Sequence, residues 1–280
     1  MLIKRLKNVG RAVVLATSLI TLPMIFAGPA YAVGDLLVAP TRLVLDGKRG
    51  AEVILNNIGA EPATYRITLE LRRMSDIGKL DDVLPEAATD TEKAALGMIS
   101  FAPRRVTLPP NQPQSIRIGL RGIETLPDGE YRAHMLFRAI PATKAVTDVQ
   151  NAGGELKIQI VPIYGVTIPV IVRKGKLTVT AALTNAKLSN DNEGSTLQFD
   201  LSRSGERSVY GDVRVTKPGT SEPLVVAKGI AIYPELKQRV VSLPLTKDQA
   251  DKLKGDVTIG YYETADAGGA LIAQVKTVIR

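Results

Sequence analysis

Few side chains of this sequence have the type and spacing that catalysis or metal binding requires. Among the 280 residues one is a histidine, His134, and none is a cysteine. His134 therefore lacks the second histidine or cysteine of the usual zinc sites, and no Gly-x-Ser-x-Gly motif provides a nucleophile beside it. We predict no catalytic residue, no cofactor and no metal site, and we interpret His134 as structural. The alternative, a secreted hydrolase, would lose its activity when His134 is replaced.

The segment 156–172 points to a binding function instead: its residue pattern predicts a strand whose main chain could pair with a strand of another chain. Large aliphatic residues alternate with polar ones at its start, which predicts a strand with Leu156, Ile158 and Ile160 on one face. Its two prolines cannot donate ladder hydrogen bonds, so we interpret the segment as an edge strand. Such an edge would also allow two copies of the chain to associate. The alternative is an ordinary core strand of a sandwich.

The N-terminal 32 residues have the three parts of a secretory signal peptide. Residues 1–11 are basic, residues 12–27 are mostly apolar, and residues 30–32 end in the small-x-small pattern of a cleavage site. The apolar run is short for a membrane span of about 20 residues, although an uncleaved anchor is the alternative. We expect cleavage after Ala32 and a mature chain outside the cytoplasm.

The charge of the chain does not favour a nucleic-acid partner. The formal net charge is +8, from 36 basic and 28 acidic residues. Four of the basic residues belong to the predicted signal peptide, and the others are scattered without the aromatic interleaving that single-strand binding needs. No phosphate-binding glycine loop is present, since Gly-Gly at 153–154 and 268–269 is typical of turns. We therefore expect neither a nucleic acid nor a small-molecule substrate.

Short alternating segments between turn residues predict an all-β protein. The segments of the first half are 36–45, 51–56, 63–74, 99–108, 114–120, 131–140 and 156–172. Those of the second half are 177–183, 196–202, 211–215, 224–232, 238–245, 256–262 and 271–278. About seven short strands in each half indicate two immunoglobulin-like β-sandwich domains, 33–172 and 173–280.

Two short helices interrupt this pattern. The acidic stretch 75–97 is predicted to be a surface insertion, with a helix that Thr89 caps and that runs through Leu96. Residues 246–254 are predicted to form one helical turn. Because strands and helices do not alternate along the chain, the pattern argues against a parallel α/β fold.

Several runs of the first half resemble the periplasmic pilus chaperones of the chaperone–usher pathway. The most specific is Phe-Ala-Pro-Arg-Arg-Val-Thr-Leu-Pro-Pro-Asn-Gln-Pro-Gln-Ser-Ile-Arg-Ile at 101–118. Three others are Ala-Pro-Thr-Arg-Leu-Val-Leu at 39–45, Asn-Asn-Ile-Gly-Ala-Glu-Pro at 56–62, and Gly-Glu-Tyr-Arg-Ala-His-Met-Leu-Phe at 129–137, with Ile-Pro at 140–141. The resemblance covers most of 36–172, in order and spacing as well as residue type, and is weaker over 177–280.

The resemblance implies a boomerang of two immunoglobulin-like domains and a non-enzymatic role in the periplasm. A member of this family binds pilin subunits and hands them to an outer-membrane usher. It implies that Leu156, Ile158 and Ile160 fill the groove that a pilin's missing strand leaves open, which is strand addition. It also implies that Arg42 binds the C-terminal carboxylate of the pilin.

One position departs from the family pattern. The family has a lysine on the donor strand just before the second domain, whereas residues 164–172 contain neither lysine nor arginine, and Arg173 and Lys174 come too late. The alternative function is a secreted two-domain structural or surface protein, such as a pilus subunit. A pilin would lack its own last strand, whereas this chain has the segment 156–172, so the donor role is favoured.

Overall fold

The structure is a computed structural model that describes residues 36–141, 163–191, 194–220 and 222–280. It confirms the predicted all-β fold of two immunoglobulin-like sandwiches. Each sandwich packs two sheets around its own apolar core.

The first sandwich consists of sheets I and II. Sheet I contains, in order across the sheet, β1 (Leu36–Ala39), β3 (Ala51–Asn57), β9 (Pro113–Leu120) and β7 (Ile99–Ala102). Sheet II contains β2 (Leu43–Leu45), β11 (Gly165–Lys174), β10 (Gly129–Ile140), β4 (Ala63–Glu70) and β8 (Arg105–Leu108). The alternating residues of these strands meet between the sheets, where Leu55, Tyr65, Ile116 and Phe137 are among the largest buried side chains.

Two segments that the sequence predicts as single strands each divide between the sheets. The segment 36–45 forms β1 in sheet I and β2 in sheet II, and the segment 99–108 forms β7 in sheet I and β8 in sheet II. A proline stands at each crossing, Pro40 in the first segment and Pro103 in the second. Because proline has no N–H to donate, a ladder is interrupted there and the chain changes its partner.

The predicted insertion is a hairpin followed by a helix. The hairpin pairs β5 (Arg72–Met74) with β6 (Leu80–Asp82), and α1 spans Asp90–Met98. Thr89 caps α1 as predicted: its hydroxyl accepts from the Glu92 N–H at 3.3 Å, and the Glu92 carboxylate accepts from the Thr89 N–H at 2.8 Å. These reciprocal bonds form a capping box.

The second sandwich consists of sheets III and IV. Sheet III contains β12 (Val179–Asp191), β13 (Gly194–Gly205) and β16 (Gln238–Leu245). Sheet IV contains β15 (Val225–Ile232), β14 (Val209–Thr216), β17 (Gly255–Tyr262) and β18 (Leu271–Ile279). The predicted helical turn is α2 (Lys247–Leu253), and three 3₁₀ turns occupy Pro85–Ala87, Ile123–Thr125 and Ala265–Ala267.

A third, smaller apolar cluster joins the two sandwiches. Its buried members are Met74 of the β5–β6 hairpin, Ile171 of β11, and Ala231 and Tyr233 of the second sandwich. The residues come from the β5–β6 hairpin, the first sandwich and the second sandwich. Their burial therefore holds the facing surfaces of the two sandwiches together. The cleft beside this cluster is the candidate site.

Candidate functional site

Arg42 lies where the chain leaves sheet I and enters sheet II. It directly precedes β2, whose Leu43 pairs in parallel with Val170 of β11. The register therefore places Arg42 at the level of Pro169, and both residues line the same cavity. This cavity, of about 340 Å³, opens between the two sandwiches, and we call it the cleft.

Side chains of the second sandwich hold the Arg42 guanidinium. It donates from Nη1 to the Tyr233 hydroxyl at 3.1 Å and from Nη2 to the Ser208 hydroxyl at 3.4 Å. It also lies over the Tyr210 ring, 4.3 Å from the centroid. A guanidinium has five N–H donors, so these neutral partners leave donor capacity. No acidic residue in the described part of the chain forms an ion pair with Arg42.

A second arginine, Arg239 of β16, lines the same cleft. Its Nη1 donates to the Ala231 carbonyl at 2.7 Å and lies 3.4 Å from the Met74 sulfur. Burial lowers the pKa of Arg239, but a guanidinium remains charged at neutral pH. None of the residues that line the cleft is acidic. Two positive charges therefore share a space that contributes no counter-charge, which is the electrostatic condition for binding an anion.

The turn of the β5–β6 hairpin positions Arg239. The guanidinium packs against Gly78, where a Cβ atom would collide with Nη2 and where φ is +84°. This is a left-handed conformation that favours glycine. In addition, the Val240 N–H donates to the Asp76 carbonyl at 2.7 Å. The insertion therefore helps to hold Arg239 at the cleft.

The two basic residues at the end of β11, Arg173 and Lys174, form ion pairs or hydrogen bonds outside the cleft. Arg173 donates from Nε to the buried carboxylate of Glu130 at 2.9 Å. The Lys174 ammonium donates to two main-chain carbonyls, at 3.0 Å to Glu124 and more closely to Leu126. Neither residue lines the cleft, so the second positive charge there belongs to Arg239.

Tyr210, Tyr233 and Arg239 were not predicted from the sequence. Each lies in the second half of the chain, far from Arg42 in sequence, and meets it only when the two sandwiches face each other. Within its strand, Arg239 has the pattern of an ordinary polar residue. The one hint in the sequence was that residues 164–172 lack the lysine of the family pattern, which left the second positive charge either missing or supplied from elsewhere.

The predicted edge strand is only partly described. Leu156, Ile158 and Ile160 lie outside the described residues. Strand β11 pairs with β10 over Gly165–Lys174, and with β2 only over Val170–Val172. The prediction of an edge is therefore wrong for Val170–Val172, which short β2 covers. Among the described residues, Gly165–Pro169 pairs with β10 alone. Pro169 stands where this one-sided part ends, a position that tolerates the lack of an N–H.

His134 lies on the outer face of β10 and is 1% exposed. Burial, together with the positive charges of Arg132, Arg72 and Arg42, lowers its pKa to about 3. Neither ring nitrogen has a hydrogen-bond partner among the described residues. A neutral, enclosed imidazole of this kind fits a structural role.

The described residues contain neither a metal-binding cluster nor a membrane-spanning helix. No group of three or more histidine, cysteine, aspartate or glutamate residues with metal-binding geometry occurs in that part of the chain. Nor does any helix there have both the length and the apolar character that crossing a bilayer requires.

Comparisons with known proteins gave matches only among solved structures. No protein-family model and no curated sequence matches the chain. The YadV chaperone has 14% identity and a TM-score of 0.48, over 87% of this chain and 100% of that one. The CupB2 chaperone of Pseudomonas aeruginosa has 14% identity and a TM-score of 0.46, over 87% and 100%. The Salmonella enterica SafA pilin–SafB chaperone complex has 12% identity and a TM-score of 0.46, over 89% and 98%.

Proposed function

We propose that this chain is a periplasmic chaperone that binds pilin subunits by strand donation and delivers them to an outer-membrane usher. The observation that carries the proposal is the cleft, which both Arg42 and Arg239 line and whose lining contains no acidic residue. In this proposal residues 1–32 are removed on export, residues 33–172 form the domain that donates the strand, and residues 173–280 form the second domain. The role involves no covalent step and needs no catalytic residue or cofactor.

Arg42 would bind the C-terminal carboxylate of the pilin. A guanidinium matches a carboxylate because two parallel N–H groups can donate to its two oxygens. The tyrosine rings and the Ser208 hydroxyl orient Arg42 but leave its charge uncompensated. The carboxylate of a client chain end would supply the missing counter-charge.

Arg239 would take the place of the lysine that the donor strand lacks. Two cations around one carboxylate lower its energy more than one does, particularly in a cleft whose aromatic and apolar walls limit screening. The fixed position of Arg239 beside Gly78 also avoids part of the ordering cost on binding.

Strand donation would provide most of the affinity. Leu156, Ile158 and Ile160 would enter the open groove of the pilin while the main chain completes its sheet. Burying one large aliphatic side chain contributes about 1.5–3 kcal/mol, so three contribute roughly 5–9 kcal/mol before the ordering cost is subtracted. The carboxylate anchor would then set the register of the added strand.

Co-purification from the periplasm with small pilins encoded beside this chain tests the proposal. We expect the wild type to retain a pilin and the Ile158→Asp/Ile160→Asp variant to lose it, because a charged side chain cannot enter an apolar groove. The control is Gln159→Asp, which places one carboxylate on the face predicted to lie opposite Ile158 and Ile160. If the Ile158→Asp/Ile160→Asp variant folds and still retains the pilin, strand donation is wrong. If the wild type retains none, the structural-protein alternative is favoured.

The anchor is tested with a synthetic peptide of the pilin's C-terminal residues, with a free or an amidated end. A hydrogen bond to a charged group contributes about 1.5–3 kcal/mol, so Arg42→Gln should weaken binding of the free-acid peptide about ten- to a hundredfold. Arg239→Gln should weaken it in the same direction. Neither variant should change binding of the amidated peptide. Equal losses for both peptides would show that the arginines only support the fold.

A further inference from the structure

Three arginines stand side by side on the outer face of sheet II. Arg138 of β10 is the register partner of Arg66 of β4, and Arg66 is the register partner of Arg105 of β8. All three are exposed, and the residues next to them in each strand are buried in the core. Adjacent strands are about 4.8 Å apart, so three positive charges span roughly 10 Å. We call this set the arginine rung.

The charge of the arginine rung is not balanced by an ion pair within the part of the chain that the structure describes. Among the described residues, no acidic side chain forms an ion pair with any of the three. The nearest acid along β4, Glu70, already accepts from Arg72 at 2.8 Å and from Thr167 at 3.2 Å. Like charges directly opposite each other destabilise a sheet. A sequence that keeps such a conflict on an exposed face commonly does so for binding.

The surface beside the arginine rung has the composition of a protein interface. Arg138 lines a cavity of about 500 Å³ together with Leu136, Ile163 and Gly165. Gly165 is the register partner of Arg138 and contributes no side chain there. Ile163 is 58% exposed and the adjacent Tyr164 is 54% exposed. Arginine and aromatic residues are enriched at the centres of protein–protein interfaces.

We infer that the arginine rung and its adjoining cavity form a docking surface for an acidic segment of a partner polypeptide. Carboxylates of that segment pair with Arg66, Arg105 and Arg138, and an apolar side chain of the segment enters the cavity. This cavity shares no lining residue with the cleft that contains Arg42. The cavity does include Ile163 and Gly165 of the segment 156–172, so the inference is separated from the proposed function by Arg66 and Arg105, which lie on β4 and β8. The mixture of arginine with exposed aliphatic side chains favours a polypeptide over a phosphate polymer.

Binding to poly-L-glutamate, measured at several salt concentrations, tests this inference. The rung variant is Arg66→Gln/Arg105→Gln/Arg138→Gln, and the control is Arg49→Gln/Arg121→Gln/Arg280→Gln. Both remove three positive charges, and all six positions are exposed. Each exposed ion pair contributes only a small part of the binding free energy, so the loss of all three should weaken binding by the rung variant about tenfold at low salt. The control should differ from the wild type by less than about twofold.

Three outcomes would overturn the inference. The first is an equal loss in the two variants, which would indicate a general effect of net charge. The second is no detectable binding by the wild type. The third is that a single-stranded DNA oligonucleotide binds the wild type as tightly as poly-L-glutamate in a competition assay, and that only the rung variant loses this binding. That result would indicate a phosphate polymer as the partner. Thermal unfolding checks folding: the rung variant should be at least as stable as the wild type, because like-charge repulsion is removed.

Discussion

The carboxylate of Glu130, in the first sandwich, accepts two hydrogen bonds from Ser208 of the second. The distances are 3.1 Å from the Ser208 N–H and 2.9 Å from its hydroxyl. The side chain of Glu130 is fully buried, and it also pairs with Arg173 at 2.9 Å. The same Ser208 hydroxyl accepts from Arg42 at 3.4 Å. The residue that joins the sandwiches thus also orients the arginine of the cleft.

Replacing Glu130 by alanine should destabilise the protein. The change leaves the Ser208 N–H and the Arg173 guanidinium without their acceptor, and breaking a buried pair costs about 3–5 kcal/mol. Because a quarter of the Arg173 side chain is exposed, we expect a loss of about 2–4 kcal/mol in the free energy of unfolding, measured by urea titration. Glu124→Ala, at an exposed position, is the control and should change it by less than about 0.5 kcal/mol. Equal effects would contradict the role of Glu130.

Arg132 and Glu235 should show strong energetic coupling. Arg132 donates to both carboxylate oxygens of Glu235, at 2.6 and 3.1 Å, and its guanidinium lies 3.7 Å from the centre of the Tyr233 ring. A double-mutant cycle with Arg132→Met and Glu235→Gln should give a coupling energy of about 1–3 kcal/mol. The exposed pair of Lys252 and Asp248 on α2 should give about 0.3–0.5 kcal/mol. Similar values for the two pairs would contradict a structural role of the bridge between the sandwiches.

His134 should make the protein less stable in mild acid. Its pKa is about 3 in the folded chain, against about 6.5 in an unfolded chain. Between these values the unfolded chain takes up a proton that the folded chain does not, so stability is lost as the pH falls from 6.5 towards 3. Between pH 7 and pH 5 the loss should be about 2 kcal/mol, measured by urea unfolding. In His134→Gln this part of the pH dependence should disappear. A variant whose pH dependence parallels that of the wild type would refute the assignment.

The ionised Glu92 carboxylate should contribute to the free energy of unfolding, and this contribution should be lost at a lower pH than that of His134. Hydrogen bonds from Arg73, at 2.6 and 2.7 Å, are the main cause that lowers the Glu92 pKa to about 2, and Thr89 adds to it. Since the ordinary pKa is 4.5, this contribution is complete above pH 4.5 and is lost as the pH falls towards 2.

Glu92→Gln tests this because glutamine can still complete the capping box, whereas the ion pair is lost. Arg73 is partly exposed, so solvent screening limits the expected loss at pH 7 to about 1–2 kcal/mol. At pH 3 the stability difference between the wild type and Glu92→Gln should be smaller, when both are measured by urea unfolding. A difference that does not depend on pH would mean that packing, not charge, is responsible.

The alternation of apolar and polar residues determined the strands, because a period of two shows directly which side chains face a core. It predicted β3, β9 and β10 closely, and the Thr89–Glu92 spacing predicted the capped helix. It did not show that 36–45 and 99–108 each divide between two sheets. Alternation distinguishes the two faces of a strand, but it carries no information about which neighbouring strand provides the hydrogen bonds.

The residues of the candidate site also fall into two groups, those that the sequence indicated and those that only the tertiary structure brought together. A local run of residues with the order and spacing of a known family was enough to single out Arg42. Only the tertiary structure brought Arg239, Tyr210 and Tyr233 to it, because the cleft forms between two separately folded sandwiches. The arginine rung has the same origin, since Arg66, Arg105 and Arg138 become neighbours through strand register alone. Charges that lie far apart in the sequence interact only after folding places them within a few ångströms of each other.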